Sequence, residues 1–456
     1  MVDGMNRVRC LFGTDGVRDV ANRGDMTPEM ALRLGRSYIL FLTERGIPRP
    51  RIVIGRDTRR SGQMLEAALG AGMTSAGAEV FLLGVIPTPG VSFAVKKMGA
   101  HGGAVISASH NPAEYNGIKF LDSEGCKLTD DMEGSIEEYM GDSLTDDWRP
   151  TGASVGILNP APGIAADYAA WVASLWGNEN PFPPRGCLDC AHGAAAEVAP
   201  SVFRKLKAEW LLTGNSPDGL NINEGVGVMN MANVSSHVRE KGLPLGMAYD
   251  GDADRVLFVD GRGRTIDGDI MLWVLGRWLF AKGMLGSGVV ATVMSNMALE
   301  DHLGREGVPV FRCPVGDRYV METMIQKCAR LGGEQSGHVI LSPFVNTGDG
   351  LCTGLIFLKA CMELGEDTDS LLDHFSPYPQ LLRNVEISRD VKMSTEFLQE
   401  LSSSAAEDLC GVGRVLIRPS GTEPLMRVLV EAKDRKLVED VSDRLIAAIR
   451  ERCRQP

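Results

Sequence analysis

The sequence has no long uninterrupted apolar run. Its longest apolar region, from Ile270 to Met294, is broken by Arg277 and Lys282, and so falls short of the roughly 18 consecutive apolar residues that a membrane-spanning helix needs. The residues before the polar GTDGVRD stretch hold no apolar core of a signal peptide. We therefore expect no membrane association and a cytoplasmic location.

The sequence also lacks an excess of basic residues and a set of paired cysteines. Its 47 Lys and Arg against 59 Asp and Glu leave a net charge of −12, which argues against nucleic acid as a partner. Of the ten cysteines, only Cys187 and Cys190 form a C-x-x-C, with no second pair to complete a zinc site. We expect reduced, structural thiols, and any anionic substrate must be bound by local cations.

The chain is long enough for several ordinary domains, with 456 residues of which 44% are hydrophobic. Short apolar runs flank helix-like stretches, first in RIVIG (51–55) and AEVFLLG (78–84), then in RGCLDC and EWLLTG, then in GSGVVATV and PVFRC. This alternation predicts parallel sheets covered by helices on both faces. The tail, in which VLIRPS and LMRVLVEA precede an amphipathic helix, predicts a small α+β domain.

Acidic side chains alternate in AYDGDADRV, after an apolar stretch. At a strand end this spacing lets Asp250, Asp252 and Asp254 point the same way, and carboxylate oxygens are the ligands that Mg²⁺ prefers. A solvated acidic turn is the alternative. The segment predicts a metal site only in combination with other motifs.

A serine follows the strand-like GGAVIS in GGAVISASHNPAEYNGIKF. Ser109 and His110 come at the end of this strand, and Lys119 follows. A serine at a strand end, with a cation and exposed backbone N–H groups nearby, can hold and transfer a phosphoryl group. An ordinary turn is the alternative.

Two further loops carry groups suited to a sugar phosphate. IRPSGTEPLMR offers a guanidinium, hydroxyls and a flexible backbone in Arg418, Ser420, Gly421 and Thr422, which together fit a phosphate clamp. GGEQSGH alternates Glu334, Ser336 and His338, a set that can bind sugar hydroxyls. A hairpin turn and a structural loop histidine are the alternatives.

Five motifs in this order, GTDGVR, SASHNP, DGDADR, GGEQSGH and RPSGTEP, resemble the α-D-phosphohexomutase superfamily over nearly the whole chain. LFGTDGVR, Gln335, NTGDG (346–350) and VGDRYVMETM resemble the bacterial phosphoglucosamine mutases within it. The resemblance implies an α/β protein with three similar mixed-sheet α/β domains and a smaller C-terminal α+β domain around a central cleft. We expect these domains at 1–153, 154–256, 257–369 and 370–456.

The resemblance also implies interconversion of glucosamine 6-phosphate and glucosamine 1-phosphate, on the route to UDP-N-acetylglucosamine. It implies one Mg²⁺ per chain, a sugar 1,6-bisphosphate as activator and a hexosamine phosphate as substrate, and it is compatible with a homodimer. Ser109 matches the phosphoserine, whose phosphate supplies a metal oxygen beside Asp250, Asp252 and Asp254. The other matched residues are Arg18, His110 and Lys119 near the transferring group, with Lys119 as a candidate proton shuttle; Glu334, Ser336 and His338 at the sugar; and Arg418, Ser420, Gly421, Thr422 and Arg427 at the non-reacting phosphate.

Two places depart from the pattern. NINEGVGVMN (221–230) stands where phosphoglucosamine mutases commonly carry a Cys-Gly-Ser-Thr-His-like stretch, and Asp19 replaces a glycine. The preferred sugar therefore stays open among glucosamine, glucose and mannose. A metal-dependent sugar phosphatase would use the same serine and carboxylates, whereas a non-enzymatic sugar-phosphate sensor would need neither.

Overall fold

The computed structural model of the chain describes residues 11–13, 15–141, 148–177, 181–183, 185–387, 393–409, 411–419 and 425–454. The chain divides into two compact units, Met1–Met294 with Val308–Leu372 and Ser295–Gly307 with Asp373–Pro456. Within these ranges, no helix combines the length and the apolar character that crossing a membrane requires.

The first sheet of the larger unit has six strands. They are β1 (Val17–Val20), β2 (Arg51–Arg56), β3 (Glu79–Val85), β4 (Gly102–Ile106), β5 (Tyr115–Leu121) and β6 (Ile157–Pro160), in the spatial order β1-β5-β4-β2-β3-β6. The accompanying helices are α1 (Pro28–Glu44), α2 (Ser61–Ser75), α3 (Thr88–Met98) and α4 (Asp130–Glu138). Helices α1 and α4 are each preceded by an N-cap threonine, Thr27 and Thr129, whose side chain accepts a backbone N–H of the first turn.

Two smaller sheets follow in the same unit. The second contains β7 (Cys187–Asp189), β8 (Leu211–Thr213), β9 (Leu245–Tyr249), β10 (Val256–Asp260) and β11 (Thr265–Ile266), with helices α5 (Ile164–Ser174), α6 (Ala195–Lys205) and α7 (Met231–Lys241). The third contains β12 (Val289–Thr292), β13 (Val310–Cys313), β14 (Leu331–Gly333) and β15 (Val339–Leu341), with helices α8 (Gly268–Ala281), α10 (Asp317–Lys327), α11 (Gly350–Leu364) and α12 (Thr368–His374).

The three sheets share one pattern of neighbours. The orders β5-β4-β2-β3, β10-β9-β7-β8 and β15-β14-β12-β13 correspond strand by strand. In each sheet the second strand of this series is parallel to the third and antiparallel to the first. The α/β repeat that the sequence predicts is thereby confirmed at the level of topology.

The sheets are mixed, as the family resemblance implies, because one strand of each series runs against the others. Strands β5, β10 and β15 run antiparallel to β4, β9 and β14. Each of these pairs is joined by a short loop, and a parallel crossover needs a dozen or more residues. These three hairpin loops carry Ser109, the three aspartates and the segment from Glu334 to His338.

The smaller unit contains one antiparallel sheet. Its strands β16 (Gln380–Glu386), β17 (Gly413–Pro419) and β18 (Leu425–Ala432) lie in the order β16-β18-β17. Its helices are α9 (Ala298–Arg305), α13 (Thr395–Asp408) and α14 (Arg435–Arg454). The predicted apolar stripe of α14 is confirmed, because Val438, Val441, Leu445 and Ile449 are buried in the core of this unit.

Helices α1 and α2 pack so closely that their backbones are nearly in contact. A Cβ atom on Gly72 of α2 would collide with the main-chain oxygen of Leu32 in α1, and one on Gly35 of α1 would collide with that of Leu69 in α2. Protein interiors are close-packed, so neither helix can move aside freely. Glycine at these two positions sets the separation of the helices that cover the first sheet.

We therefore expect Gly72→Ala to destabilise the larger unit, although alanine favours a helix by about 1 kcal/mol over glycine. Forcing the helices apart costs roughly 1–3 kcal/mol. Scanning calorimetry should show a lower melting temperature. The matched control is Gly304→Ala in α9, whose added methyl would meet no atom within 4 Å; it should melt at or above the wild-type temperature. An unchanged transition for Gly72→Ala would contradict this account of the packing.

Candidate active site

Most predicted site residues of the larger unit lie on the three hairpin loops, whereas Arg18 lies on β1 and Lys119 on β5. Ser109 lies between β4 and β5, the three aspartates lie between β9 and β10, and Glu334 to His338 lie between β14 and β15. Each loop therefore follows the corresponding strand of its sheet. The shared topology of the three sheets accounts for the common position of these loops.

Ser109 is buried against the aspartate loop. Its Oγ donates a 2.6 Å hydrogen bond to Asp250 Oδ2, and Nδ1 of His110 lies 3.4 Å from the same Oγ. Ser109 has a φ of 50°, a left-handed conformation that costs a non-glycine residue energy and is common at functional sites. Burial and the nearby Arg255 and Arg18 guanidinium groups lower the pKa of His110 to about 4.

The three aspartates form one buried cluster. Carboxylate oxygens of Asp250, Asp252 and Asp254 lie within 4.8 Å of one another. Ala253, between the last two, has a φ of 54°. The three carboxylates converge on one point, as the alternating spacing predicts.

The free oxygens of this cluster fit a divalent cation. Oδ1 of Asp252 and Oδ1 of Asp254 are buried and accept no hydrogen bond from any residue that the structure describes. Burial and the charges of Asp254 and Asp252 raise the pKa of Asp250 well above its usual value. Buried carboxylates in mutual repulsion, with oxygens left over, are what a hard cation satisfies. The described residues thus contain a group able to bind a divalent metal.

Cations surround the cluster. Lys119 Nζ lies 3.3 Å from Asp252 Oδ2 and 3.0 Å from Asp15 Oδ2. Burial by itself would lower the pKa of Lys119, but the charges of Asp15 and Asp252 outweigh it and raise that pKa. Asp15 also pairs with Arg18 and with Lys127. Arg18 and Lys119 are therefore linked through one shared carboxylate.

The third loop meets the same cluster through its histidine. His338 is buried, with Nδ1 3.6 Å from Asp254 Oδ2 and Nε2 4.0 Å from Asp317 Oδ2. Burial opposes charging of the imidazole, but Asp254 raises its pKa above the usual value. Glu334 accepts hydrogen bonds from Ser336 Oγ at 3.0 Å and from the N–H of Gly316 at 3.1 Å.

Several contacting residues were not selected from the sequence, among them Arg255, whose backbone N–H donates to Asp250 Oδ1 at 3.2 Å. Thr88 donates a 2.6 Å hydrogen bond from Oγ1 to Asp252 Oδ2, and Lys127 joins Asp15 to Asp317. Asp15 and Asp317 lie in GTDGVR and VGDRYVMETM, so the motifs contained a signal for them. A lone threonine in VIPTPG and a lysine in CKLTD carry no comparable signal, because only folding brings them to the cluster.

Two of the predicted phosphate-clamp residues belong to the smaller unit. Arg418 of β17 and Arg427 of β18 are direct register partners, and facing residues of an antiparallel pair have their side chains on the same face. Ser420, Gly421 and Thr422 lie outside the residues that the structure describes.

Family models match nearly the whole chain in sequence order. All four describe phosphoglucomutase/phosphomannomutase domains. The alpha/beta/alpha domains I, II and III match residues 9–145, 178–263 and 267–378, and the C-terminal domain matches residues 382–448.

Solved structures share the fold. A phosphoglucomutase/phosphomannomutase family protein of Burkholderia thailandensis has a TM-score of 0.78 at 21% identity, covering 96% of this chain and 97% of its own. The N-acetylphosphoglucosamine mutase of Aspergillus fumigatus, in complex with GlcNAc-6P and magnesium, has a TM-score of 0.68 at 16% identity, covering 97% and 96%.

Curated relatives are closer in sequence. The phosphoglucosamine mutase of Carboxydothermus hydrogenoformans is 44% identical over 96% of this chain and 99% of its own length. That of Moorella thermoacetica is 45% identical over 94% and 97%. Full-length matches at this identity agree with the resemblance of the motifs. The chain therefore belongs to the phosphoglucomutase/phosphomannomutase family of α-D-phosphohexomutases, in its phosphoglucosamine mutase branch.

Proposed function

We propose that this chain interconverts glucosamine 6-phosphate and glucosamine 1-phosphate through a phosphorylated Ser109. The observation that carries the proposal is the 2.6 Å contact between Ser109 Oγ and Asp250 Oδ2, within a buried carboxylate cluster that has free oxygens. A serine in that position can accept and return a phosphoryl group next to a bound cation. The curated relatives bear the name of this reaction.

The reaction has two phosphoryl transfers. In the first, the bond between phosphorus and Ser109 Oγ breaks while a bond forms from phosphorus to the free hydroxyl of the sugar monophosphate. The sugar then carries two phosphates and turns over in the site. In the second, its other phosphate returns to Ser109, which leaves the isomeric monophosphate. A sugar 1,6-bisphosphate activates the enzyme because it can supply the phosphoryl group that Ser109 carries at the start.

Lys119 is our candidate for moving the proton. Because Asp15 and Asp252 favour its charged form, it first donates a proton to Ser109 Oγ as that oxygen leaves phosphorus. The neutral amine then takes the proton that the sugar hydroxyl releases. The step begins and ends with a charged Lys119, so no net proton is gained or lost. Arg18 and His110 are proposed to act beside the transferring group.

We propose one Mg²⁺ per chain, held by Asp250, Asp252, Asp254 and the phosphate on Ser109. Bound there, the ion would supply Lewis-acid stabilisation of the charge on the phosphoryl oxygens. The oxygens of Asp252 and Asp254 that accept no hydrogen bond from any described residue support this assignment, as does the magnesium named for the Aspergillus fumigatus structure.

Substrate contacts are proposed on two loops. Glu334, Ser336 and His338 are assigned to the sugar hydroxyls. The phosphate that does not react is assigned to Arg418, Ser420, Gly421, Thr422 and Arg427. The register pairing of Arg418 with Arg427 supports the second assignment, since two guanidinium groups on one sheet face suit a dianion.

The domain limits at 153, 256 and 369, the cytoplasmic location and a homodimer stay predictions. A broader phosphohexomutase acting on glucose or mannose phosphates is the alternative within the family, and a metal-dependent sugar phosphatase is the alternative outside it. Release of inorganic phosphate at the rate of substrate loss would identify a phosphatase.

Ser109→Ala should lower turnover by more than about 10³-fold, as expected for loss of a covalent nucleophile. The intact mass of the wild type should rise by one phosphoryl group after incubation with glucose 1,6-bisphosphate, and that of the variant should not. Ser123→Ala, an exposed serine of the same sheet region, is the control and should keep both properties. Full turnover by Ser109→Ala would sink the proposed mechanism.

Asp250→Asn should abolish stabilisation by Mg²⁺ and yet leave the metal-free protein at least as stable as the wild type. Burial and its neighbours raise the pKa of Asp250, so its charge destabilises the metal-free fold. Saturating Mg²⁺ should raise the wild-type melting temperature by about 3–6 °C and leave the variant unmoved. Melting after chelation and after Mg²⁺ addition measures both effects.

The pH dependence of this difference has a definite sign. A carboxyl group whose folded-state pKa is raised loses its destabilising charge as the pH falls. The advantage of metal-free Asp250→Asn over the wild type should therefore be largest above the raised folded-state pKa of Asp250 and should shrink as the pH falls from there toward the usual aspartate pKa of about 4. Asp349→Asn is the control, since Asp349 is buried outside the cluster and caps α11; it should retain the full Mg²⁺ response. A Mg²⁺ response in Asp250→Asn equal to that of the wild type would contradict the assigned site.

Sugar preference is measured by a coupled assay with Mg²⁺ and a trace of sugar 1,6-bisphosphate. We expect kcat/KM for glucosamine phosphate to exceed that for glucose and mannose phosphates at least about tenfold, the effect of one favourable contact of about 1.4 kcal/mol. Equal values would move the chain to the broader phosphohexomutases while keeping the mechanism.

A further inference from the structure

Two backbone carbonyls of the Ser109 loop are each held by the same two side chains. The oxygen of Ser109 accepts hydrogen bonds of 2.9 Å from Nη2 of Arg59 and 2.9 Å from Nδ2 of Asn223. The oxygen of Asn111 accepts bonds of 2.8 Å and 3.1 Å from the same two atoms. A carbonyl oxygen has two lone pairs, so both acceptors are saturated.

Arg59 is anchored to the first sheet. It is completely buried and pairs through Nε with Asp57 Oδ2 at 2.9 Å. Asp57 also accepts a 2.6 Å bond from Ser107 Oγ, and that hydroxyl accepts the N–H of Ser109 at 2.9 Å. One buried ion pair thus controls both the N–H and the C=O of Ser109.

Asn223 reaches the same loop from the second sheet. It lies in NINEGVGVMN, between β8 and α7, and its backbone N–H donates to the oxygen of Ala191 just after β7. The segment is fastened again where the N–H of Val228 donates to the oxygen of Tyr249 at the end of β9. Asn223 is therefore fixed to the sheet that carries the aspartates.

The aspartate loop leaves space for this contact by having no side chain at Gly251. A Cβ atom there would lie 2.5 Å from the oxygen of Ser109 and 3.0 Å from Nδ2 of Asn223. The serine loop, the aspartate loop and Asn223 consequently meet at van der Waals distance.

We propose that Asn223 is a positioning residue for phosphoryl transfer, which ties the strained Ser109 loop of the first sheet to the aspartate loop of the second. This inference rests on the proposed function of Ser109. Arg59 holds the loop from its own side, and Asn223 sets its position relative to the metal ligands. Its amide touches neither the reacting oxygen nor the carboxylates.

The expected effect follows from the chemistry. Phosphoryl transfer depends mainly on the alignment of the nucleophile with charged groups, and a displacement of about 1 Å can cost roughly 10²-fold in rate. Ser109 has a left-handed φ of 50°. Without the hydrogen bonds from Asn223, only Arg59 would hold the two carbonyls of its loop, and the loop could relax. Substrate affinity should change little because Asn223 is assigned no substrate contact.

The experiment uses the full chain with two variants and a matched control. Asn223→Gly removes the amide at a position whose φ of 62° suits glycine, and Asn223→Asp keeps the shape but loses the donor. Asn221→Gly is the control, because Asn221 lies in the same loop and bonds Ser216 and Asp218 instead. Enzyme phosphorylated with glucose 1,6-bisphosphate is mixed with glucosamine 6-phosphate, and single-turnover transfer is measured by quench-flow. Amide hydrogen exchange of a peptide covering residues 104–113 is followed in the unphosphorylated proteins.

We expect both Asn223 variants to slow transfer by about 30- to 100-fold with KM changed less than about threefold. Exchange in residues 104–113 should be about tenfold faster, and Asn221→Gly should match the wild type in both measurements. If residues 104–113 exchange in Asn223→Gly at the wild-type rate, Asn223 does not hold the Ser109 loop, and the inference is wrong. Faster exchange with unchanged transfer would reduce Asn223 to a structural residue and overturn its positioning role.

The outcome for the proposed function is read separately, from the wild type. If the wild-type protein takes up no phosphoryl group on Ser109, the proposed function fails, and with it the role in transfer. If the wild type turns over and the Asn223 variants equal it, only the present inference fails.

Discussion

The rest of the site depends on one constraint, the burial of three carboxylates whose oxygens lie within 4.8 Å of one another. Charges of one sign are tolerated in a protein interior only if they are paired or bind a cation. Asp250 accepts a hydrogen bond from Ser109. Asp252 accepts one from Thr88 and pairs with Lys119, and Asp254 pairs with His338. These partners come from the first and third sheets and their helices, and the aspartates come from the second, so satisfying one cluster brings parts of all three sheets together. The carboxylate oxygens that accept no hydrogen bond within the described part of the chain explain why the site suits a divalent metal.

The repeated topology makes this convergence possible. In each sheet the strand before the functional loop has a parallel neighbour on one side and its hairpin partner on the other. Three equivalent loops can then project from three equivalent strand ends. Ser109 and Ala253, which have left-handed backbone conformations, lie on two of these loops. This conformation is unfavourable for residues other than glycine, so the surrounding hydrogen bonds must stabilise it.

The segment that departs from the usual pattern of phosphoglucosamine mutases has a structural part in this arrangement. NINEGVGVMN carries Asn223 to the carbonyls of Ser109 and Asn111, where it meets the donors of Arg59. The segment therefore contacts the loop of the proposed nucleophile directly. Sugar preference is decided by groups that face the substrate, so a departure here is compatible with the glucosamine phosphates proposed as substrates.

The sequence by itself indicated several of the helices and strands, the repeated α/β pattern and the loops that carry Ser109, the aspartates and His338. Those features depend on periodicity and on local motifs, which are written in neighbouring residues. Which strand of each mixed sheet runs antiparallel, the partners Thr88 and Lys127, and the meeting of Arg59 and Asn223 at the Ser109 loop were decided only by the tertiary structure. The residues next to these side chains form no recognisable motif. The side chains meet residues that are distant in the sequence, as Thr88 meets Asp252. Alternation of apolar and polar residues does not specify strand direction, and no local pattern specifies which distant donor will satisfy a buried acceptor.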